Sequence, residues 1–160
     1  MSGKPEQIAK AICYGLLLRS RAELRACYLI TYSTDIEVLN LADWERQQEQ
    51  IVNFLTYSFY GGTNMELALE EALRILQSED YSLADVLVIS DFEVGDLSSE
   101  TITAIYRVRG RNTLFHALEI DWGGNDEVLD LFDIRWYYDH HTNRIRRRKS
   151  ENRGYHFEKE

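Results

Sequence analysis

Two short stretches carry the residue types that could do chemistry. In "YGGTNMELAL" (60–69), Thr63 follows two glycines at the entrance to an amphipathic helix. In "VLVISDF" (86–92), the most hydrophobic run of the chain closes on Ser90-Asp91. In open α/β sheets, ligands collect beyond the carboxyl ends of the strands. A hydroxyl at a helix entrance and a carboxylate at a strand exit suit a hard, oxygen-seeking cation such as Mg²⁺, which keeps several waters and takes few protein ligands. Gly62 frees the backbone ahead of Thr63, and Ser90 places a second hydroxyl beside Asp91. Taken singly, Thr63 reads as a helix N-cap and Asp91 as a turn carboxylate. Their order along the chain is what points to one site.

Other constellations carry less. Gly61-Gly62-Thr63 is no P-loop, because no lysine precedes the threonine and the glycine spacing differs. No G-x-G-x-x-G follows a strand. His116 inside "LFHAL" reads as a core or interface histidine. Asp139-His140-His141 offers metal-ligand types, but at a strand exit beside a basic tail. Cys13 and Cys27 read as small buried hydrophobes rather than a disulfide or metal pair. No serine sits in a nucleophile elbow. An enzyme reading, a metal-dependent hydrolase or phosphoryl-transfer activity using Asp91, lacks a base or nucleophile in the sequence.

The elements that must position these residues follow from periodicity. Pro5 and the spacing of Ile8, Ile12, Cys13, Leu16 and Leu17 predict a helix over 5–20. "ACYLITYS" (26–33) predicts a buried strand, with "IEVLNL" as its hairpin partner. Asp43 is placed to cap a helix carrying Trp44, Ile51, Phe54 and Leu55. The helix after Thr63 buries Met65, Ala68, Leu69, Ala72, Leu73 and Leu76. It exposes Glu66, Glu70 and Arg74, the last two spaced as an i,i+4 pair. "ADVLVISDF" (84–92) predicts a second buried strand. A helix capped by Ser98 or Ser99 follows to about Arg109, with Ile102, Ile105 and Tyr106 inward. "NTLFHALEI" (112–120) is a third buried strand. The Gly123-Gly124 turn and a short helix over 128–132 lead to "IRWYYD" (134–139), expected as the last strand, at an edge. Strands alternating with helices predict a mostly parallel central sheet covered on both faces, a Rossmann-like α/β fold.

The chain has 160 residues and net charge −9, unevenly spread. From His140 onward seven Lys/Arg face three Asp/Glu, so the tail is about +4 and the body near −13. An acidic body does not bind nucleic acid by neutralising phosphates, so nucleic acid is an unlikely partner. No apolar run approaches the roughly 20 residues of a membrane span. A cytoplasmic protein is expected.

On Thr63 in "YGGTNMELAL" and Asp91 in "VLVISDF", the chain resembles a von Willebrand factor A (VWA) domain. More narrowly, "FYGGTNMELALEEALRIL…ADVLVISDF" followed by "FHALEI…LDLFDIRWYYD" resembles the ViaA-type bacterial proteins. The resemblance implies a VWA domain over 1–139 and a basic C-terminal tail over 140–160. It implies a metal-ion-dependent adhesion site (MIDAS) in which Thr63 and Asp91 are the second and third elements. The first, D-x-S-x-S, does not occur in the chain. "MSGKPEQIAKAI" resembles the family's segment just C-terminal to that motif, so the domain is expected to be truncated at its N-terminus, and Ser2 is only a nearby hydroxyl. Mg²⁺ or Mn²⁺, bound in intact members, is expected to be weak or absent here. The implied function is a non-enzymatic interaction module, an adaptor for a MoxR-class AAA+ ATPase of the RavA type. In the family's sheet the absent first strand lies between the strand of Cys27–Tyr32 and the strand ending at Asp91. Either those two strands close directly on each other, or a homodimer forms through the exposed strands.

Overall fold

The computed structural model describes residues 3–41, 44–56, 64–78, 81–109, 113–120, 123–139 and 141–147. Its elements are α1 (Lys4–Ala22), β1 (Tyr28–Tyr32), β2 (Ile36–Asn40), α2 (Gln48–Thr56), α3 (Met65–Leu76), β3 (Val86–Ser90), α4 (Ser99–Val108), β4 (Phe115–Ile120), α5 (Asp126–Leu129), β5 (Ile134–Asp139) and β6 (Arg144–Arg147). The expected helix and strand order is therefore present, with one strand added. Pro5 sits in the first turn of α1, where its missing N–H costs nothing. β1 and β2 form the expected antiparallel hairpin, Tyr28 opposite Asn40 and Tyr32 opposite Ile36.

β3, β4 and β5 are parallel neighbours, Val88 beside Ala117 and Leu118 beside Trp136. β6 then pairs antiparallel with β5, Tyr138 opposite Ile145. The sheet is thus mostly parallel and flanked by helices on both faces, as a Rossmann-like α/β fold requires. Two details of the sequence reading change here. β5 is neither the last strand nor an edge, because the basic segment after it turns back as β6. The alternating Arg144-Ile145-Arg146 pattern is that of an exposed edge strand, and charge suits an edge because it discourages pairing with other chains.

The described residues form two sheets, β1–β2 and β3–β4–β5–β6, with no ladder between them. Direct closure of β1 on β3 therefore does not occur. Instead, the same helices cover both sheets. On one face, the first half of α1 packs Ile8, Ala9 and Ile12 onto Ile89, Leu118 and Ile120. Its second half packs Cys13, Tyr14 and Leu17 onto Leu29 and Leu39, joined by Ile51 and Phe54 of α2. On the other face, Met65, Leu69, Leu73 and Leu76 of α3 form the main core with Val88, Ile105, Phe115 and Ala117, and Tyr32 of β1 packs against it.

Several side chains depart from the expected pattern. Tyr106 is 56% exposed, with Arg109 over its ring, so α4 turns only Thr101 and Ile105 fully inward. Trp44 precedes α2 and takes the Arg21 guanidinium on its ring 5.0 Å away. Ala72 is half-buried and Ile75 takes the buried place. Arg74 binds Glu71 (2.6 and 2.7 Å) rather than Glu70, because one turn back at i−3 is as close as i−4 on a helix. The short helix starts at Asp126, earlier than expected, since Asn125 caps it. α1 also buries an ion pair that periodicity did not show, Lys10 Nζ to Glu6 Oε1 at 2.7 Å.

Candidate functional site at the carboxyl edge of the sheet

β3 ends on Ser90, and the chain leaves the sheet through Asp91 and Phe92. Phe92 is fully buried, yet its backbone is left-handed, φ 55°. For a residue with a Cβ, that conformation costs about 1–2 kcal/mol, so its surroundings must hold it there. The Phe92 N–H donates to Ser90 Oγ (3.1 Å). The Phe92 carbonyl accepts from the N–H groups of Val94 (2.9 Å) and Asn125 (2.8 Å). Its ring meets Phe132 edge-to-face at 5.6 Å.

This sharp turn swings Asp91 out of the sheet to a half-exposed position at the edge. Ser90 Oγ donates to Asp91 Oδ1 (3.3 Å), and the Glu93 N–H approaches the same oxygen at 3.4 Å. Ser90 itself is buried, so its hydroxyl serves both neighbours: it accepts from Phe92 and donates to Asp91. The expected association of Ser90 with Asp91 has a concrete form, a hydroxyl that orients a carboxylate.

Two further polar groups lie beneath this edge. The Tyr32 hydroxyl at the end of β1 is buried without a hydrogen-bond partner among the described residues. Burial pushes its phenol well above the usual range, with the Asp91 charge adding to the rise and nearby Ser90 opposing it. Glu119, beside Ser90 on β4, is buried as well. The backbone of Gly124 passes close to Phe92 and Glu119. A methyl group on Gly124 would stand 2.6 Å from Phe92 Cβ, 3.0 Å from the Asp91 carbonyl oxygen and 3.3 Å from Glu119 Oε1. Asn125 completes the loop, its amide donating to the Val94 carbonyl and to Asp96 Oδ1, both at 3.2 Å.

Thr63, Gly62 and Ser2 lie outside the described residues. Immediately after Thr63, Asn64 caps α3, its side chain accepting from the Leu67 N–H at 3.2 Å. The Asn64 N–H donates to the Ser33 carbonyl at the end of β1 (2.7 Å). The start of α3 is thereby tied to the carboxyl end of β1, the same edge of the fold as Asp91. Among the described residues, no group of three or more His, Cys, Asp or Glu is placed to hold a metal. Ser90 and Asp91 are the sequence-expected oxygen ligands that the described residues place at this edge.

The remaining candidates lie elsewhere. His116 is the second residue of β4, at the opposite end from Glu119. Asp139 accepts from the N–H groups of His141 (2.9 Å) and Thr142 (3.2 Å) and pairs with Arg146 at 3.2 Å, which shapes the β5–β6 turn. Those contacts, Thr142 foremost, hold its carboxyl below the usual range. Cys13 and Cys27 are free thiols in the α1–β1 cluster, and burial pushes Cys13 up to about 12. His140 lies outside the described residues.

Sequence reasoning missed Phe92, Gly124 and Asn125, which shape the edge. A glycine pair followed by Asn was visible as a turn, but its approach to Phe92 needs the tertiary structure.

No family model matches the chain. It is 33% identical over 140 residues to the regulatory protein ViaA of Edwardsiella ictaluri (strain 93-146). Over 87% of its length, the chain is ViaA-like. The match covers 29% of that relative, so the chain spans less than a third of the curated protein it resembles. No helix among the described residues is long and apolar enough to cross a membrane.

Proposed function

We propose that the chain is a VWA-type protein-interaction module, an adaptor for a MoxR-class AAA+ ATPase, with an incomplete MIDAS at Thr63 and Asp91. The observation that carries this reading is the similarity to a regulatory protein across 87% of the chain. The Asp91 carboxylate, just past the end of β3, is oriented by Ser90 and turned outward, as a group that meets a partner should be. Among the described residues, the free thiols lie in the α1–β1 cluster and His116 at the far end of β4, away from Asp91.

The chain holds no D-x-S-x-S, so by itself it supplies two of the three elements the resemblance calls for. Calorimetric titration with Mg²⁺ or Mn²⁺ should give no saturable heat below about millimolar concentration, since one carboxylate cannot replace the ion's hydration shell. Tight, stoichiometric binding would refute the incomplete site. Interferometry against a purified MoxR-class ATPase should show binding that survives EDTA and weakens in Asp91→Ala. Absence of binding would remove the adaptor reading.

A further inference from the structure

β6 is the far edge of the parallel sheet, at the opposite side from β3. Among the described residues it pairs with β5 alone, so one row of its backbone groups lies outside any ladder. All four of its residues, Arg144 to Arg147, are exposed. Of the devices that close an edge to other strands, it lacks proline and a bulge and keeps two, short length and charge. Charge closes an edge selectively. Arginines at three of four positions repel a basic strand and leave a neutral one to desolvate them, but they attract carboxylates, which a guanidinium binds through paired hydrogen bonds. Arg146 already meets Asp139 at 3.2 Å. Arg144 and Arg147 have no ion pair among the described residues.

The register fixes which side chains share a face. Residues opposite one another in a ladder stand on the same side of the sheet. Ile145 and Arg147 therefore stand with Tyr138 and Trp136, on the face that takes Ile8, Ala9 and Ile12 of α1. Arg144 and Arg146 stand on the other face, with Asp139 and Tyr137. Ile145 is 47% exposed, so it carries the apolar strip of Trp136 and Tyr138 out to the sheet's rim. The rim thus presents one apolar position among three cationic ones, in a fixed order.

We propose that the open side of β6 takes one extended acidic segment of a partner protein, added to the sheet as a further strand. The order of side chains on β6 dictates its pattern: carboxylates opposite Arg144, Arg146 and Arg147, and an apolar, β-branched residue opposite Ile145. A nucleic acid or an anionic membrane would also meet the arginines, but neither supplies the amide and carbonyl groups of a ladder. The acidic body of the chain, net −9 in all, also repels any polyanion that extends beyond the edge. The β6 of a second copy is a poor donor, because arginine would then face arginine. The proposal goes beyond the adaptor reading and does not depend on it, since β6 lies at the other side of the sheet from the strand that ends beside Asp91.

The test is residue-resolved amide exchange on the whole chain with a capped peptide of one valine between two pairs of glutamates, which presents the pattern in either direction. A control peptide of the same sequence carries N-methyl groups on alternate amides, keeping the charge while removing the ladder. At ten times its Kd, the first peptide should slow the outward amides of 144–147 about tenfold, and added salt should weaken its binding. The N-methylated peptide should leave exchange there unchanged. Arg144→Glu with Arg147→Glu, both at exposed positions, should lose the glutamate peptide and gain one with lysines in place of the glutamates, an exchange that an unfolded strand would not give. Equal protection by both glutamate peptides, no protection, or protection confined to 36–40 would overturn the proposal. So would a uridine oligonucleotide or a phosphatidylserine vesicle that protects 144–147 where the peptide does not, or a free chain in which every amide of 144–147 is already protected.

Discussion

Adding one methyl group at Gly124 tests how tightly the Asp91 edge is built. In Gly124→Ala the new Cβ would lie 2.6 Å from Phe92 Cβ and 3.0 Å from the Asp91 carbonyl oxygen. Carbon atoms in contact sit about 3.5–4.0 Å apart, so the loop must retreat by about an ångström. Phe92 cannot yield easily: it is fully buried, left-handed and packed on Phe132. Overpacking of this kind costs about 1–3 kcal/mol. Replacing glycine returns roughly 0.4–1 kcal/mol by restricting the unfolded chain. The net destabilisation is then about 1–2 kcal/mol, a fall in Tm of roughly 2–8 °C for a domain of this size. Urea unfolding followed by tryptophan fluorescence measures it, and calorimetry gives the Tm. Gly15→Ala serves as the control: nothing lies within 4 Å of that added carbon, and the site is inside α1. There, stability should rise by about 0.5–1 kcal/mol. If Gly124→Ala matches or exceeds the wild type while the control behaves as stated, the close approach of the Gly124 loop to Phe92 is wrong.

Other outcomes rest on particular contacts. Lys10→Met alone takes the ammonium away from buried Glu6 and should cost about 3–5 kcal/mol, whereas Glu6→Leu with Lys10→Met should recover most of it in the same urea assay. Glu66 accepts from the Ser98 N–H (3.0 Å) and Thr101 Oγ1 (2.8 Å); the Ser98 side chain foremost, then Thr101 and the Ser98 N–H, hold its carboxyl below the ordinary 4.5. A folded-state value below the unfolded one gives stability that is present above about pH 4.5 and lost as pH falls through the folded value. Glu66→Gln should therefore flatten the acid limb of a stability-against-pH curve; an unchanged limb would count against the contact. Asp133 ties Arg109 to the start of β4 by accepting from the Arg109 guanidinium and from the Phe115 N–H at 2.9 Å. Asp133→Ala should cost about 1–3 kcal/mol through the unpaired N–H, read as a lower urea midpoint with unchanged slope. Cys13, partly buried with its thiol pushed up to about 12, should react with a thiol reagent at about pH 8 more slowly in the folded chain than in denaturant.

Much of the fold was legible because its strands are apolar runs and its helices keep a clear period. α3 shows the rule: four of its core residues fall at three-to-four spacing, and the helix begins where the polar Asn64 can cap it. Strand placement was harder. "ADVLVISDF" read as the most buried strand, yet β3 has a neighbour on one side only among the described residues, because hydrophobicity reports what a strand can bury and not what pairs with it. β6 escaped for the converse reason. Its arginines read as a solvated tail, but an antiparallel partner needs only backbone groups and a tight turn, which Asp139 provides by accepting from His141 and Thr142. Tyr106 and the Arg74–Glu71 pair turned on choices of a single helical step, smaller than periodicity resolves.

At the candidate site, the residue types were legible and the means of holding them were not. Asp91 was visible as a carboxylate at a strand end. Its direction depends on Phe92, whose strained turn is held by contacts from three separate places: Ser90 in β3, Asn125 before α5 and Phe132 after it. Two of the three reach it from more than thirty residues along the chain. Their convergence means that loosening any one should release strain first at Asp91, before the sheet is disturbed. Ser90→Ala removes the acceptor for the Phe92 N–H and the donor to Asp91 together, whereas Phe132→Leu removes only the ring contact. If the turn is held cooperatively, both substitutions should speed amide exchange at 91–94 while leaving 115–120 slow. Equal acceleration of both segments would show instead that the turn is an integral part of the sheet's stability, and that Asp91 has no independent freedom to move.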